Sequence, residues 1–154
     1  MLKRLPIDLD DLCIALETAP GAEMRWYLDA ESGATILVNS EYDPSELDGP
    51  TLDEIAAAPQ RYLAIPEAEP DGGLGEMREF SAALADSRLR ESLEIALSGT
   101  GPARRFKNVL AHVPEQRDQW FAFKRRRTEE RAAGWLASHG LEAAPAKPPR
   151  GAKP

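Results

Sequence analysis

The chain has 154 residues, 42% of them hydrophobic, with 19 Lys and Arg against 26 Asp and Glu for a net charge of −7. That length suits one domain with one core, and the acidic balance disfavours non-specific nucleic-acid binding by the molecule as a whole. The single cysteine, Cys13, excludes an intramolecular disulfide and a multi-cysteine metal site.

Residues 6–17 read as the first helix. Asp8 is the expected N-cap, and Leu9, Leu12, Cys13 and Leu16 recur at i, i+3, i+4 and i+7. Cys13 falls on that stripe and is expected to be a buried thiol acting as a small hydrophobe. Pro20-Gly21 stops the helix. The period then changes. MRWYLD alternates, with Met24, Trp26 and Leu28 on one face, and ATILVN is apolar and β-branched. Between them Asp29 to Gly33 is turn chemistry, so the two runs predict a β-hairpin. The second run lacks polar alternation, which predicts cover on both faces. Thr51 caps a short helix over 52–58, and RYLAIP at 61–66 reads as a third antiparallel strand.

Beyond a turn-rich connection at 67–75 the chain reads as helical. Met77, Phe80, Ala83 and Leu84 form one stripe. Leu89, Leu93, Ala96 and Leu97 form the next, with Ser87 as its expected cap. Gly99 and Gly101 end that helix, and Pro102 occupies a first helical position. Phe106, Val109, Leu110 and Val113 make the stripe of the following helix. A long last helix spans about 115–138, and Gly140 ends it. The fold class expected is α+β, a small antiparallel sheet packed against several helices with a helical C-terminal half. Residues 1–141 form one domain on this reading. Residues 142–154, rich in proline, read as a disordered tail.

Charge is distributed unevenly. Residues 1–100 hold 7 basic and 21 acidic side chains, whereas residues 101–131 hold 9 basic and 4 acidic. The same basic stretch contains Phe106, Trp120, Phe121 and Phe123. Such asymmetry serves either a partner-binding face or attraction between two parts of one chain. No apolar run approaches a membrane span, and acidic residues stand where a signal peptide needs its apolar segment, so the expected location is cytoplasmic.

The runs GTGPARRFKNVL and DQWFAFKRRRTEERAAGWL, with WYLDAESGATI upstream, resemble an uncharacterised bacterial family, protein family 0158. The resemblance covers roughly Met24 to Leu141. A large aromatic commonly precedes the arginine pair in that pattern, and here Pro102-Ala103 stands in its place. The resemblance implies no reaction, substrate or partner.

Chemistry-bearing patterns are sparse. His112 and His139 stand near helix ends, where contact with the helix dipole or plain exposure accounts for them. Nucleophile, HExxH, P-loop and Rossmann motifs are absent. Asp10-Asp11 and Asp53-Glu54 point about 100° apart on their helices and make no joint site. No ligand cluster indicates a metal, and nothing indicates a cofactor. The Gly99 to Arg105 stretch places a glycine-rich turn before a helix start bearing Arg104 and Arg105, a combination able to hold an anion at Gly101. An ordinary helix–helix turn uses the same residues. On the last helix Phe121, Thr128, Ala132 and Trp135 are expected on one face, with Trp120, Phe123 and Arg127 on the adjoining one. Trp120 and Phe123 are core residues or a stacking platform. The run from Lys124 to Arg127 is a solvated face or a phosphate contact.

Two functional readings follow. The first is a non-catalytic interaction module that presents Arg104, Arg105, Lys107, Lys124, Arg125, Arg126 and Arg127 to an acidic partner, protein or nucleic acid. The second is a small-anion receptor or enzyme built on Gly101, Arg104 and Arg105, with His112 or Tyr27 handling protons. Homo-oligomerisation through the hairpin edge or the aromatic helix ends is a third option.

Overall fold

The computed structural model describes residues 1–18, 23–39, 43–47, 49–68, 71 and 73–144. Its elements are β1 (Lys3–Leu5), α1 (Leu9–Leu16), β2 (Met24–Asp29), β3 (Thr35–Asn39), a 3₁₀ turn (Pro44–Leu47), α2 (Leu52–Ala57), β4 (Tyr62–Ala64), α3 (Leu74–Ala82), α4 (Ser87–Ser98), α5 (Pro102–Leu110), α6 (Pro114–Ser138) and β5 (Leu141–Ala143). The architecture is α+β, with a three-stranded antiparallel sheet and a helical C-terminal half. The chain divides into two compact units. Met1–Glu67 with the residues from Thr128 onward form the first, and Ala68–Arg127 form the second.

In the first unit the hairpin takes the expected register, with Trp26 opposite Leu37 and Tyr27 opposite Ile36, and β4 pairs with the other side of β2. Pleating sends the side chains to two layers. Leu28, Trp26 and Leu63 pack with Leu12, Leu16, Ala132 and Leu136. Tyr27, Ile36, Val38 and Tyr62 pack with Ile55 of α2. The apolar strand β3 is nevertheless an edge strand, and Ile36 is its one buried residue. A second, parallel pair was not expected from the sequence: β1 lies beside β5, Lys3 opposite Leu141 and Leu5 opposite Ala143. The expected start of the tail at Glu142 therefore falls inside a strand. Residues 145–154 lie outside the described residues, as does the helix stop at Pro20-Gly21.

Local chemistry explains the boundaries. Asp8 caps α1 by accepting from Asp10 N and Asp11 N, and Thr51 caps α2 by accepting from Glu54 N. Ser87 is not the cap of α4. Asp86 is, accepting from Arg88 N and Leu89 N at 3.0 and 3.1 Å, because a carboxylate one residue earlier reaches both donors. Pro102 opens α5 as expected.

The second unit is built on rings. Phe106 and Trp120 meet edge to face at 5.0 Å, Phe80 and Trp120 at 5.5 Å, and Phe123 lies 6.0 Å from Trp120. Met77, Leu89, Leu93, Leu97 and Leu110 complete this core. On α6 the buried positions are Trp120 in the second unit and Thr128, Ala132 and Leu136 in the first. Phe121 is in line with Thr128 and Ala132 at 100° per residue, as expected, yet it is exposed where Trp120 is buried. Phe121 is 57% exposed. Thr128, fully buried, donates through Oγ1 to Glu17 Oε1 at 2.8 Å, which satisfies a hydroxyl that would otherwise be costly to bury.

Candidate interaction site

α5 divides cleanly around its axis. Phe106 and Leu110 are buried, with Ala103 and Val109 packed beside them, while Arg104, Arg105, Lys107, Asn108 and Ala111 are exposed. At 100° per residue these exposed positions fill one arc with Arg104 near its middle. Arg104, Arg105 and Lys107 make no ion pair with any described residue. The ring core beneath holds the helix, so the three cations sit on a rigid mount.

The start of α5 differs from those of α1, α2 and α4. Gly101 adopts φ of 60° at the N-cap and offers no side chain to the first amides. Arg105 folds back over the turn, where a Cβ at Gly99 would run into its guanidinium.

The run Lys124 to Arg127 is not one face. Successive residues on α6 diverge, and three of the four lie beside the rings of the second unit. Arg127 pairs with Glu79 and lies 5.3 Å from the Phe123 ring centre. Lys124 lies over Trp120 at 5.8 Å. Arg126 is exposed beside Phe123 at 6.0 Å, and Arg125 is half-buried. His112 and His139 are both exposed, and His139 rests edge-on against Trp135 at 5.0 Å. Tyr27 belongs to the first unit and packs in its α2-facing layer. Among the described residues no group of three His, Cys, Asp or Glu could hold a metal ion, and no helix is long and apolar enough to cross a membrane.

Sequence reasoning missed the cavity of about 680 Å³ in the first unit, lined by Trp26, Asp29, Thr35, Glu54, Arg61 and Tyr62 among others. Asp29 and Arg61 among them are already engaged. Arg61 binds Asp29 and Glu31 and lies 5.0 Å from the Tyr62 ring centre. Trp26 Nε1 and Thr35 Oγ1 have no hydrogen-bond partner among the described residues, but neither atom has surface to offer a ligand. A shallower groove of about 380 Å³ in the second unit is lined by Phe80, Leu84, Phe123 and Arg126 among others. Gly101, Arg104 and Arg105 line neither hollow, nor the small one between α1 and β2.

With this geometry in place, the comparison with known proteins is decisive for kinship. The chain matches the family described as Uncharacterised protein family (UPF0158) over residues 3–147. The chain belongs to family UPF0158. Its similarity extends to UPF0158 protein PA5073 of Pseudomonas aeruginosa, 30% identical over 148 residues that cover 96% of this chain and 92% of the relative. No solved structure matches. The UPF0158 match runs through β1 and β5 as well as the hairpin and helices, beyond the Met24 to Leu141 stretch that carries the motifs.

The charge asymmetry follows the two units of this UPF0158 chain. The second unit has 11 basic and 9 acidic side chains, and the first has 8 basic and 17 acidic.

Proposed function

We propose that the protein is a non-catalytic interaction module whose α5 presents Arg104, Arg105 and Lys107 to an acidic partner, with Arg126 as a further exposed cation. One observation carries this reading: all three α5 cations are exposed on one arc and have no ion pair among the described residues. Charges that stabilise a fold are met by opposite charges within it. Charges left open on a rigid helix attract an oppositely charged surface and orient it. Lys124, Arg125 and Arg127 contribute less on this reading, since at least Arg127 is engaged within the chain.

A second reading places a small anion at the Gly101 helix start, on the exposed amides and Arg104 and Arg105. The missing side-chain cap favours it. The absence of these residues from the described cavities weighs against a catalytic version, as does the location of Tyr27 in the other unit.

Titration of fluorescent polyglutamate, RNA and DNA with the protein at several salt concentrations tests the first reading. Binding is expected to weaken steeply with salt and to be lost in a folded R104Q/R105Q/K107Q variant. Binding that ignores this variant, or no binding at low salt, overturns it.

A further inference from the structure

The occupant of the α5 face can be named from the chain itself. α1 is the electrostatic counterpart of α5. Its buried side is Leu12, Cys13, Ala15 and Leu16, and its exposed arc is Asp10, Asp11, Ile14 and Glu17. At 100° per residue Ile14 stands between Asp10 and Asp11, and it is 55% exposed. Burial first, then the neighbouring charges of Asp8 and Asp10, raise the Asp11 carboxyl above its usual value. On α5 the corresponding arc has small residues, Asn108 and Ala111, among Arg104, Arg105 and Lys107. One helix offers an apolar knob ringed by carboxylates. The other offers an arc of cations with Arg104 near its middle. Faces of opposite charge attract and orient one another.

We propose that the α5 face docks on the α1 face of a second copy of this chain. The proposal rests on the reading that α5 binds an acidic partner, and it names that partner. Every copy carries both faces, so the acidic surface is always present at the concentration of the basic one. The two units' opposite charge, 8 basic with 17 acidic against 11 basic with 9 acidic, favours the heterologous contact over contact between like faces. Two helices of 8 and 9 residues bury less than the ~1,200 Å² of a stable complex, so the association is weak, reversible and salt-sensitive.

Sedimentation equilibrium over about 10–500 μM protein, at about 20 mM and about 500 mM salt, tests the proposal. The average mass is expected to rise with concentration at low salt and to fall to the monomer at high salt. R104E/R105E/K107E and D10K/D11K are each expected to self-associate at least about tenfold more weakly, and an equimolar mixture of the two is expected to recover association, because the reversed faces are again complementary. If D10K/D11K does not fold, Ile14→Ser replaces it, with weaker self-association expected at an unchanged melting temperature. A monomer throughout the low-salt series overturns the proposal, and so does an α5 variant that associates like the parent. A monomer that still binds polyglutamate through α5 defeats the self-association and leaves the acidic-partner reading standing. A monomer that binds no polyanion defeats both.

Discussion

Arg61 grips Asp29 with a fork: Nε donates to Oδ1 at 3.1 Å and Nη2 to Oδ2 at 3.0 Å. The same carboxylate accepts from Glu31 N and Ser32 N within the β2–β3 turn. One side chain thus shapes the hairpin and ties it to the start of β4. Burial by itself raises the Asp29 pKa, but the Arg61 bonds and the turn amides outweigh it and bring the pKa down to about 2.

That pKa is below the value near 4 of an unfolded Asp, so the ionised carboxylate stabilises the fold. The contribution is complete above about pH 4 and is lost as pH falls through about 2. With Arg61 partly exposed, we expect about 1–2 kcal/mol. Urea unfolding of the parent and Asp29→Asn should show the parent ahead at pH 7, with the gap closing near pH 2.

Trp120 and Phe121 are neighbours with opposite fates. Trp120 is 2% exposed and touches three other rings, whereas Phe121 points outward. Trp120→Ala is expected to cost about 3–5 kcal/mol through the cavity it leaves, and Phe121→Ala less than about 0.5 kcal/mol. Thermal unfolding of the pair decides it. Equal losses would contradict the orientation of α6.

Two candidate caps precede α4. Asp86→Ala is expected to cost about 1 kcal/mol, because it frees the amides of Arg88 and Leu89. Ser87→Ala should change stability little. The reverse order in equilibrium denaturation would restore Ser87 as the cap.

Gly33 has φ of 83°, and a Cβ there would lie 2.9 Å from Pro6 O. Gly33→Ala therefore combines left-handed strain of about 1–2 kcal/mol with a backbone collision. Gly101→Ala, at φ of 60° in open space, should cost only the strain. A lower melting temperature for the Gly33 variant than for the Gly101 variant is the expected result.

The sequence was most readable where short-range rules act. Leu12, Cys13 and Leu16 repeat at helical spacing and are buried, and the run from Asp29 to Gly33 holds turn residues and turns. The readable part of the candidate site was equally local: Arg104, Arg105 and Lys107 follow Pro102 on one short helix. Strands β1 and β5 were hidden because three residues carry no period. Only their pairing across the length of the chain defines them.

The sequence by itself determined the helices, the hairpin, the caps at Asp8 and Thr51 and the crowding of positive charge after Gly101, because each depends on residues within a few positions. The tertiary structure decided which charges are open. Arg127 and Arg104 look alike in a sequence, but long side chains choose partners by distance in space. Arg127 finds Glu79, 48 residues away, while the outward arc of α5 has no carboxylate of the described chain against it. That difference makes α5, and not the longer run on α6, the candidate face.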